Sequence, residues 1–411
     1  MDYVLYFRHS LYEVSVTTVE QIKLVNELGN HLEVDIWSHA LIGRAGQILV
    51  SKDTKTQFEN VLKSNGVDFK IEIENIKELI DLEDNLLAKA SQKSFNVSQI
   101  SYDRIHTYEE VNEFLHYLAE KYPSIVTLVN GGKSFEGKDV FYIKISTSNF
   151  ENSSKPIIFM ESLLHAREWI TLPATLYAIE RLVTDVTDQD VAQNIDWIVL
   201  PIANPDGYVF SHTDNGRFWR KNRATGYTVN DSCIGVDLNR NFDVAWGTAS
   251  SNNVCSETFH GRGPFSEPET AIVRDIFVQY GDRIRTFLDI HCCGSMVLYG
   301  WGTGELPING LDLHVLGITM ANAIDDVKLN YKPYYIVGNS ALVLYQSSGS
   351  GQDYGQAAGA EYSYTFELPR YRYGTGVNGF LVEPEFIEQA GFETWEGIRE
   401  GARYILGRAN K

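Results

Sequence analysis

No run of about 18 apolar residues occurs in the 411-residue chain, so no membrane-spanning helix is expected. Cysteine is scarce: Cys233, Cys255, Cys292 and Cys293 are the whole complement. Four cysteines do not make a disulfide scaffold, although one loop-closing bridge is compatible with them. Basic residues are the minority, 35 Lys and Arg against 54 Asp and Glu, a net charge of −19. A broad face for nucleic acid or for an anionic membrane is not expected from such a balance. The opening residues, Met1 to His9, have neither a basic region nor a long apolar stretch, so an intact signal peptide is not expected there. A cytosolic protein and a secreted one with its signal trimmed both fit. There is no internal repeat and no low-complexity tract.

What is present is core material: 44% hydrophobic and 12% aromatic residues. That excludes a disordered or collagen-like chain. The length is a soft prior for two or three domains. N-x-[ST] sequons at Asn96, Asn152 and Asn230 point weakly to secretion.

A seam lies at residues 85–100. Before it, strand patterns at 12–16, 32–37, 47–51 and 69–76 alternate with helical spacing at 19–28 and 54–62. A β-α-β-β-α-β order in this length predicts a small ferredoxin-like α+β module. Residues 77–93, rich in Leu, Glu, Lys and Ala, read as a connecting helix. Its polar end, 89–93, carries Lys89 and Lys93. It reads equally as a solvated linker and as a cleavage site for a trypsin-like protease.

After the seam, helical segments at 108–121, 172–184, 267–280, 310–327 and 386–406 alternate with short strands. These are at 125–129, 140–145, 157–160, 195–202, 286–291 and 362–367. Several are continuous apolar runs, as when both sheet faces are covered. This predicts one α/β domain with a central mixed sheet, whose functional residues follow the carboxyl ends of strands.

Polar residues do follow them. After the run at 157–160 come His165 and Glu168, three apart and able to converge on one metal. Ten His and 54 acids give roughly one such match by chance. A second, His106 and Glu109, opens a predicted helix and needs no other role. The strand at 286–291 ends in His291. Two His and one Glu form the open three-ligand set of catalytic zinc sites, and satisfied core histidines are the competing reading. The strand at 362–367 ends in Glu367, either an ion-paired structural carboxylate or a general base. Arg220, in Trp219-Arg220-Lys221, suits an oxyanion if it lines a cleft, and a solvated basic patch otherwise. Asn239 and Arg240, in Asp237-Leu238-Asn239-Arg240-Asn241, suit a substrate carboxylate, or belong to an ordinary turn.

The H-x-x-E pair, W-R-K, G-V-D-x-N-R-N, the strand-end His, L-Y-Q-S-S-G and T-F-E-L occur in that order across nearly the whole chain. Together they resemble the zinc metallocarboxypeptidases of the carboxypeptidase A/B family with their activation domain, closest to insect digestive procarboxypeptidases. The resemblance implies a carboxypeptidase fold, a central mixed eight-stranded sheet flanked by helices, at residues 94–411, with residues 1–93 as the activation domain. It implies one Zn2+ on His165, Glu168 and His291, with Asp237 behind His165. Glu367 would be the general base and proton shuttle, and Arg220 the oxyanion electrophile. Asn239 and Arg240 would hold the terminal carboxylate, Tyr345 would be a mobile cap, and Arg167 would line the approach. Cys233 and Cys255 would form the family's disulfide.

The pocket for the C-terminal side chain would be walled by Leu298, Gly302, Ser340, Ser347 and Thr365, with Gln352 at its base beside Asp353. A-type enzymes usually have an apolar residue in the place of Gln352, and B-type enzymes an Asp. No wall residue is charged, so a buried Lys or Arg would lack a counter-ion and neutral residues are expected. A basic, polar or acidic preference is the alternative within the same reaction. Cys293 stands where the family usually has Tyr, and beside Cys292 it is either a free thiol or half of a vicinal pair. Peptide substrates, an activating trypsin-like protease and proteinaceous inhibitors are the implied partners of a secreted monomer in the gut lumen. A catalytically dead binding protein and a cytosolic peptide-processing enzyme are the competing classes.

Overall fold

The computed structural model describes residues 9–32, 34–91, 94–185, 187–370, 372–373, 376–377 and 379–409. The N-terminal strands β1 (His9–Ser15), β2 (Asp35–Ser38), β3 (Gly46–Ser51) and β4 (Asp68–Ile73) form an antiparallel sheet in the order β2-β3-β1-β4. This is the expected ferredoxin-like arrangement. Strand alternation divides its side chains between two faces. Tyr12, Val14, Ile48 and Val50 pack with Val25, Leu28, Phe58 and Leu62 of the helices Val19–His31 and Lys52–Ser64. Leu11, Trp37 and Leu49 belong instead to the core of the larger domain. The sheet is therefore buried on both faces, one by its own helices and one by its neighbour. The connecting helix runs Lys77–Ala90 and is shorter than expected. Of the 89–93 stretch, Lys89 is exposed, whereas Gln92 and Lys93 lie outside the described residues.

The larger domain has a mixed sheet of eight strands among the described residues. They are β5 (Val126–Lys133), β6 (Asp139–Ile145), β7 (Ile157–Ser162), β8 (Asp196–Leu200), β9 (Ile284–Cys292), β10 (Met296–Tyr299), β11 (Ile336–Asn339) and β12 (Tyr362–Leu368). Their order is β11-β10-β12-β9-β7-β8-β6-β5. The centre, β12-β9-β7-β8, is parallel. Helices Tyr108–Lys121, Thr171–Thr184, Gly310–Val327 and Pro384–Ala409 cover one face, and Pro268–Tyr280 lies on the other. Burial on both faces explains the continuous apolar runs of β7, β8 and β9. Two sheet strands, β10 and β11, are four residues each, too short for a periodic signal. The decoy His106 is a core residue, its ring between the Glu110 carboxylate and the Ser101 carbonyl.

Candidate active site

Three parallel strands deliver the chemistry at their carboxyl ends. After β7 the chain turns through Leu163, whose φ of 56° is left-handed. This turn brings His165 and Glu168 ahead of the helix Thr171–Thr184. His291 is the penultimate residue of β9, paired in register with Glu367 of β12. The ligand atoms of His165, Glu168 and His291 lie within 4.8 Å of one another, and all three residues are buried. His165 Nδ1 is 2.8 Å from Glu168 Oε1, and His291 Nδ1 is 3.0 Å from Glu168 Oε2.

Each imidazole is backed by a carboxylate: Asp237 at 3.0 Å from His165 Nε2 and Asp289 at 2.8 Å from His291 Nε2. With Nε2 of His165 donating to Asp237, its Nδ1 lone pair faces inward, whereas Nε2 of His291 lies beside both the Asp289 carboxylate and the Asn239 amide nitrogen, the latter at 2.9 Å. Burial alone disfavours charge on His291, yet the Asp289 and Glu168 carboxylates hold its pKa well above the usual histidine range. Burial also opposes charge on Glu168, but the two histidines hold its pKa below the carboxylate range. The field at this point thus favours a cation. Two imidazoles and one carboxylate are a donor set that fits zinc and leaves it a free coordination position. The sequence reading found Asp237 and missed Asp289. Its signal was position: two residues before His291 on one strand puts it on the same sheet face.

The remaining candidates sit around a cavity of about 410 Å³ lined by His165, Glu168, His291, Arg220, Asn239, Arg240, Tyr345 and Glu367. Arg220 donates to Asp237 Oδ2 from Nη2 at 2.9 Å, so the W-R-K segment is not a solvated patch. Lys221 beside it is buried and donates to the Val254 carbonyl. Asp237 Oδ1 caps a single turn, Leu238–Arg240, by accepting from the Asn239 amide. Arg240 Nη2 donates to the Tyr345 hydroxyl at 2.9 Å. No arginine ion-pairs with Glu367 among the described residues. Burial, then the nearby Glu168 charge, pushes its carboxyl up to about 7.

A family model described as zinc carboxypeptidase matches residues 111–397, and one described as carboxypeptidase activation peptide matches residues 12–83. The chain belongs to the zinc carboxypeptidase family. It is 42% identical to a carboxypeptidase B of Helicoverpa zea over 97% of this chain and 96% of that one. It is 31% identical to carboxypeptidase A1 of Rattus norvegicus, covering 94% and 91%. A crystal structure of carboxypeptidase A from Helicoverpa armigera superposes with a TM-score of 0.97 at 54% identity, covering 99% and 100%. A bovine thrombin-activatable fibrinolysis inhibitor in complex with tick carboxypeptidase inhibitor gives 0.67 at 25% identity, covering 75% and 99%.

The protein is thus a zinc carboxypeptidase zymogen, and its activation domain sits over the site. Glu13, Trp37, Ser38 and Gln47 of the N-terminal sheet, with His39 just after β2, complete the walls of the cavity. Asp35 Oδ2 accepts from Arg167 Nη1 at 2.6 Å, and the same guanidinium lies over the Phe380 ring. The His39 ring packs against Tyr345 with centroids 3.8 Å apart and planes tilted by 35°. Burial, then the charges of Arg240, Arg220 and Arg44, hold His39 down at about 3, so it presents a neutral ring. Gln47 accepts from Arg370 Nη1 at 3.3 Å. None of these activation-domain residues was singled out from the sequence, although the strand alternation that sends Asp35 and Trp37 to one face was visible.

The residues expected to wall a side-chain pocket are not among those lining this cavity. Leu298 and Thr365 are cross-strand partners on β10 and β12. Gln352 Nε2 donates to Ser340 Oγ at 2.9 Å, while its buried Oε1 has no partner. The Ser347 amide donates to the Gly302 carbonyl. A Cβ on Gly302 would lie 2.7 Å from the Ser347 carbonyl, so only glycine fits there. Asp353 Oδ2 accepts from the Gly302 amide at 2.8 Å, its Oδ1 is unpartnered, and burial pushes its carboxyl up to about 6. Cys233 and Cys255 are disulfide-bonded. Cys292 and Cys293, left open by the sequence, form a second disulfide.

Proposed function

We propose that cleavage within residues 89–93 by a trypsin-like protease separates residues 1–93 from a monomeric exopeptidase at 94–411. That enzyme removes single neutral residues, apolar or aromatic first, from peptide C-termini during digestion in the gut lumen. The observation that carries this reading is the Arg240 guanidinium in the same cavity as Glu367 and the His165, Glu168, His291 trio. A guanidinium fork takes a terminal carboxylate in two parallel hydrogen bonds, which selects chain ends over internal bonds. Asn239 supports that grip, and Tyr345 turns from Arg240 to close over bound peptide. Arg167, once Asp35 has left, lines the approach.

Bound zinc supplies Lewis acidity toward the scissile carbonyl. Glu367 accepts a proton from the attacking water and returns it to the departing amine nitrogen. Arg220 donates to the oxygen on which negative charge develops. Leu298, Ser340, Ser347, Gln352 and Thr365 wall the side-chain pocket without a charge, so an ammonium or guanidinium there is unpaired and costly. The inhibitor-bound relative supports small inhibitor proteins as further partners.

The test follows limited trypsin treatment, with peptides that differ only in a final Phe, Leu, Gln, Glu, Lys or Arg. Phe and Leu are expected to leave roughly tenfold faster or more than Lys and Arg. Faster release of Lys or Arg would overturn the neutral preference and point to Asp353 as the counter-ion. No release from any peptide would instead favour a catalytically dead binding protein.

A further inference from the structure

A disulfide between neighbouring residues needs a local reason. Cross-linking stabilises a fold more the longer the loop it closes, and a bridge between adjacent residues closes none. Cys233–Cys255, with 22 residues of separation, is an ordinary cross-link; Cys292–Cys293 is not. Its place in the fold is specific. Cys292 directly follows the metal ligand His291, and its amide donates to Glu168 Oε2 at 3.1 Å. Glu168 is therefore held by the backbone of the bridged pair as well as by two histidines. The Cys293 carbonyl accepts from Arg370 Nε at 2.9 Å, three residues beyond Glu367. The Gly294 amide then donates to the Leu368 carbonyl, and Leu368 is the register partner of Cys292. One short stretch thus fixes a ligand carboxylate, the end of β9 and the segment that follows Glu367. Cys292 is buried, Cys293 is half-buried, and both line the 410 Å³ cavity.

We propose that the Cys292–Cys293 disulfide is a reducible latch on the metal site: opening it by a thiol or phosphine reductant loosens the Glu168 and Arg370 contacts and weakens zinc retention. The inference rests on the zinc-site reading. With a dithiol, two electrons and two protons pass to the cysteine sulfurs, giving two thiols and a cyclic disulfide of the reductant. With a phosphine, water supplies the protons and the oxygen, giving two thiols and a phosphine oxide. In the zymogen, the bridge lines a cavity whose walls include residues of the activation domain. In the activated enzyme, the bridge faces the open cleft, so reduction is faster after activation.

The experiment uses trypsin-activated enzyme and a water-soluble phosphine, which avoids zinc capture by a dithiol. Free thiols are located by alkylation and peptide mass spectrometry. Zinc per chain is measured after gel filtration against a weak chelator, alongside kcat/KM. Labelling of Cys292 and Cys293 is expected to coincide with a roughly tenfold or greater loss of zinc affinity, the scale on which supporting contacts to ligands act. Reoxidation by an azodicarboxamide, whose N=N bond takes the two electrons and two protons, is expected to restore it once the phosphine is removed. A Cys292→Ala, Cys293→Ala variant, already lacking the bridge, is expected to hold zinc weakly and not to respond. A Cys233→Ser, Cys255→Ser variant is expected to respond like the parent. The proposal is overturned if both cysteines are labelled while zinc affinity and kcat/KM stay within twofold. It is equally overturned if the bridge resists reduction under conditions that open Cys233–Cys255. Failure of the site reading would look different: untreated activated enzyme would then carry no zinc.

Discussion

Glu83 of the connecting helix and Arg217 of the catalytic domain form a two-point ion pair, at 2.5 Å from Nε and 2.9 Å from Nη2, and both are almost fully buried. Glu83 Oε1 also accepts from the Val382 amide, and Arg217 Nη2 donates to the Phe380 carbonyl. A desolvated pair of this kind leaves an uncompensated buried charge when one partner is removed, at about 3–5 kcal/mol. Glu83→Ala is therefore expected to loosen the activation domain by about that amount. It should raise peptide release by untreated zymogen and speed tryptic conversion. Fully converted enzyme should be unaffected, because the proposed cleavage within 89–93 removes Glu83. Unchanged conversion and unchanged background release would contradict this.

Glu367, the proposed base, lines the cavity without belonging to the group of three metal-ligand candidates. Glu367→Gln is expected to lower kcat by ~10²–10⁴, the usual worth of a positioned acid–base group. Zinc content, measured by metal analysis, should stay at that of the parent. Near-normal turnover with full zinc would remove Glu367 from the role.

Asp289 holds His291 as Asp237 holds His165. Replacing it by Asn keeps the size and removes the charge behind the ring. Zinc affinity, read by competition with a chromogenic chelator, is expected to fall ~10–100-fold. An unchanged affinity would mean that His291 needs no carboxylate to orient it.

The pH profile follows from the same carboxyl. Glu367 must be ionised to accept a proton, and burial with the Glu168 charge pushes its pKa up to about 7. A divalent cation beside it favours the carboxylate and brings that value down. The rate kcat/KM is thus expected to climb with pH along an acid limb set by one proton, with its midpoint below 7. A profile flat from pH 4.5 to 7 would argue against this assignment.

The sequence was most legible where a long apolar run ended in a polar residue. β7, β9 and β12 were picked out by that pattern, and with them His165, Glu168, His291 and Glu367 as candidates, whose zinc and base roles came from the resemblance. The roles of Asn239, Arg240 and Tyr345 came from motif resemblance, since a single turn and a short loop carry no periodicity. The pocket residues were named from resemblance alone, because β10, the helix Gly351–Ala357 and the turns that carry most of them are too short for a periodic signal. Asp35, His39 and Glu83 look like surface residues in the sequence. Only docking of the N-terminal sheet, whose second face carries Leu11, Trp37 and Leu49, turns them into contacts. The pairing of Cys292 with Cys293 was equally undetermined, because adjacent cysteines fit either thiols or a bridge.

The most direct measurement compares two peptides after limited trypsin treatment, one ending in Phe with a free carboxylate and the other in Phe amide. Release of Phe from the free acid only, lost on chelation and restored by zinc, is the expected result. Equal release from both peptides, or release that survives removal of zinc, would contradict a zinc exopeptidase that grips the chain end through Arg240.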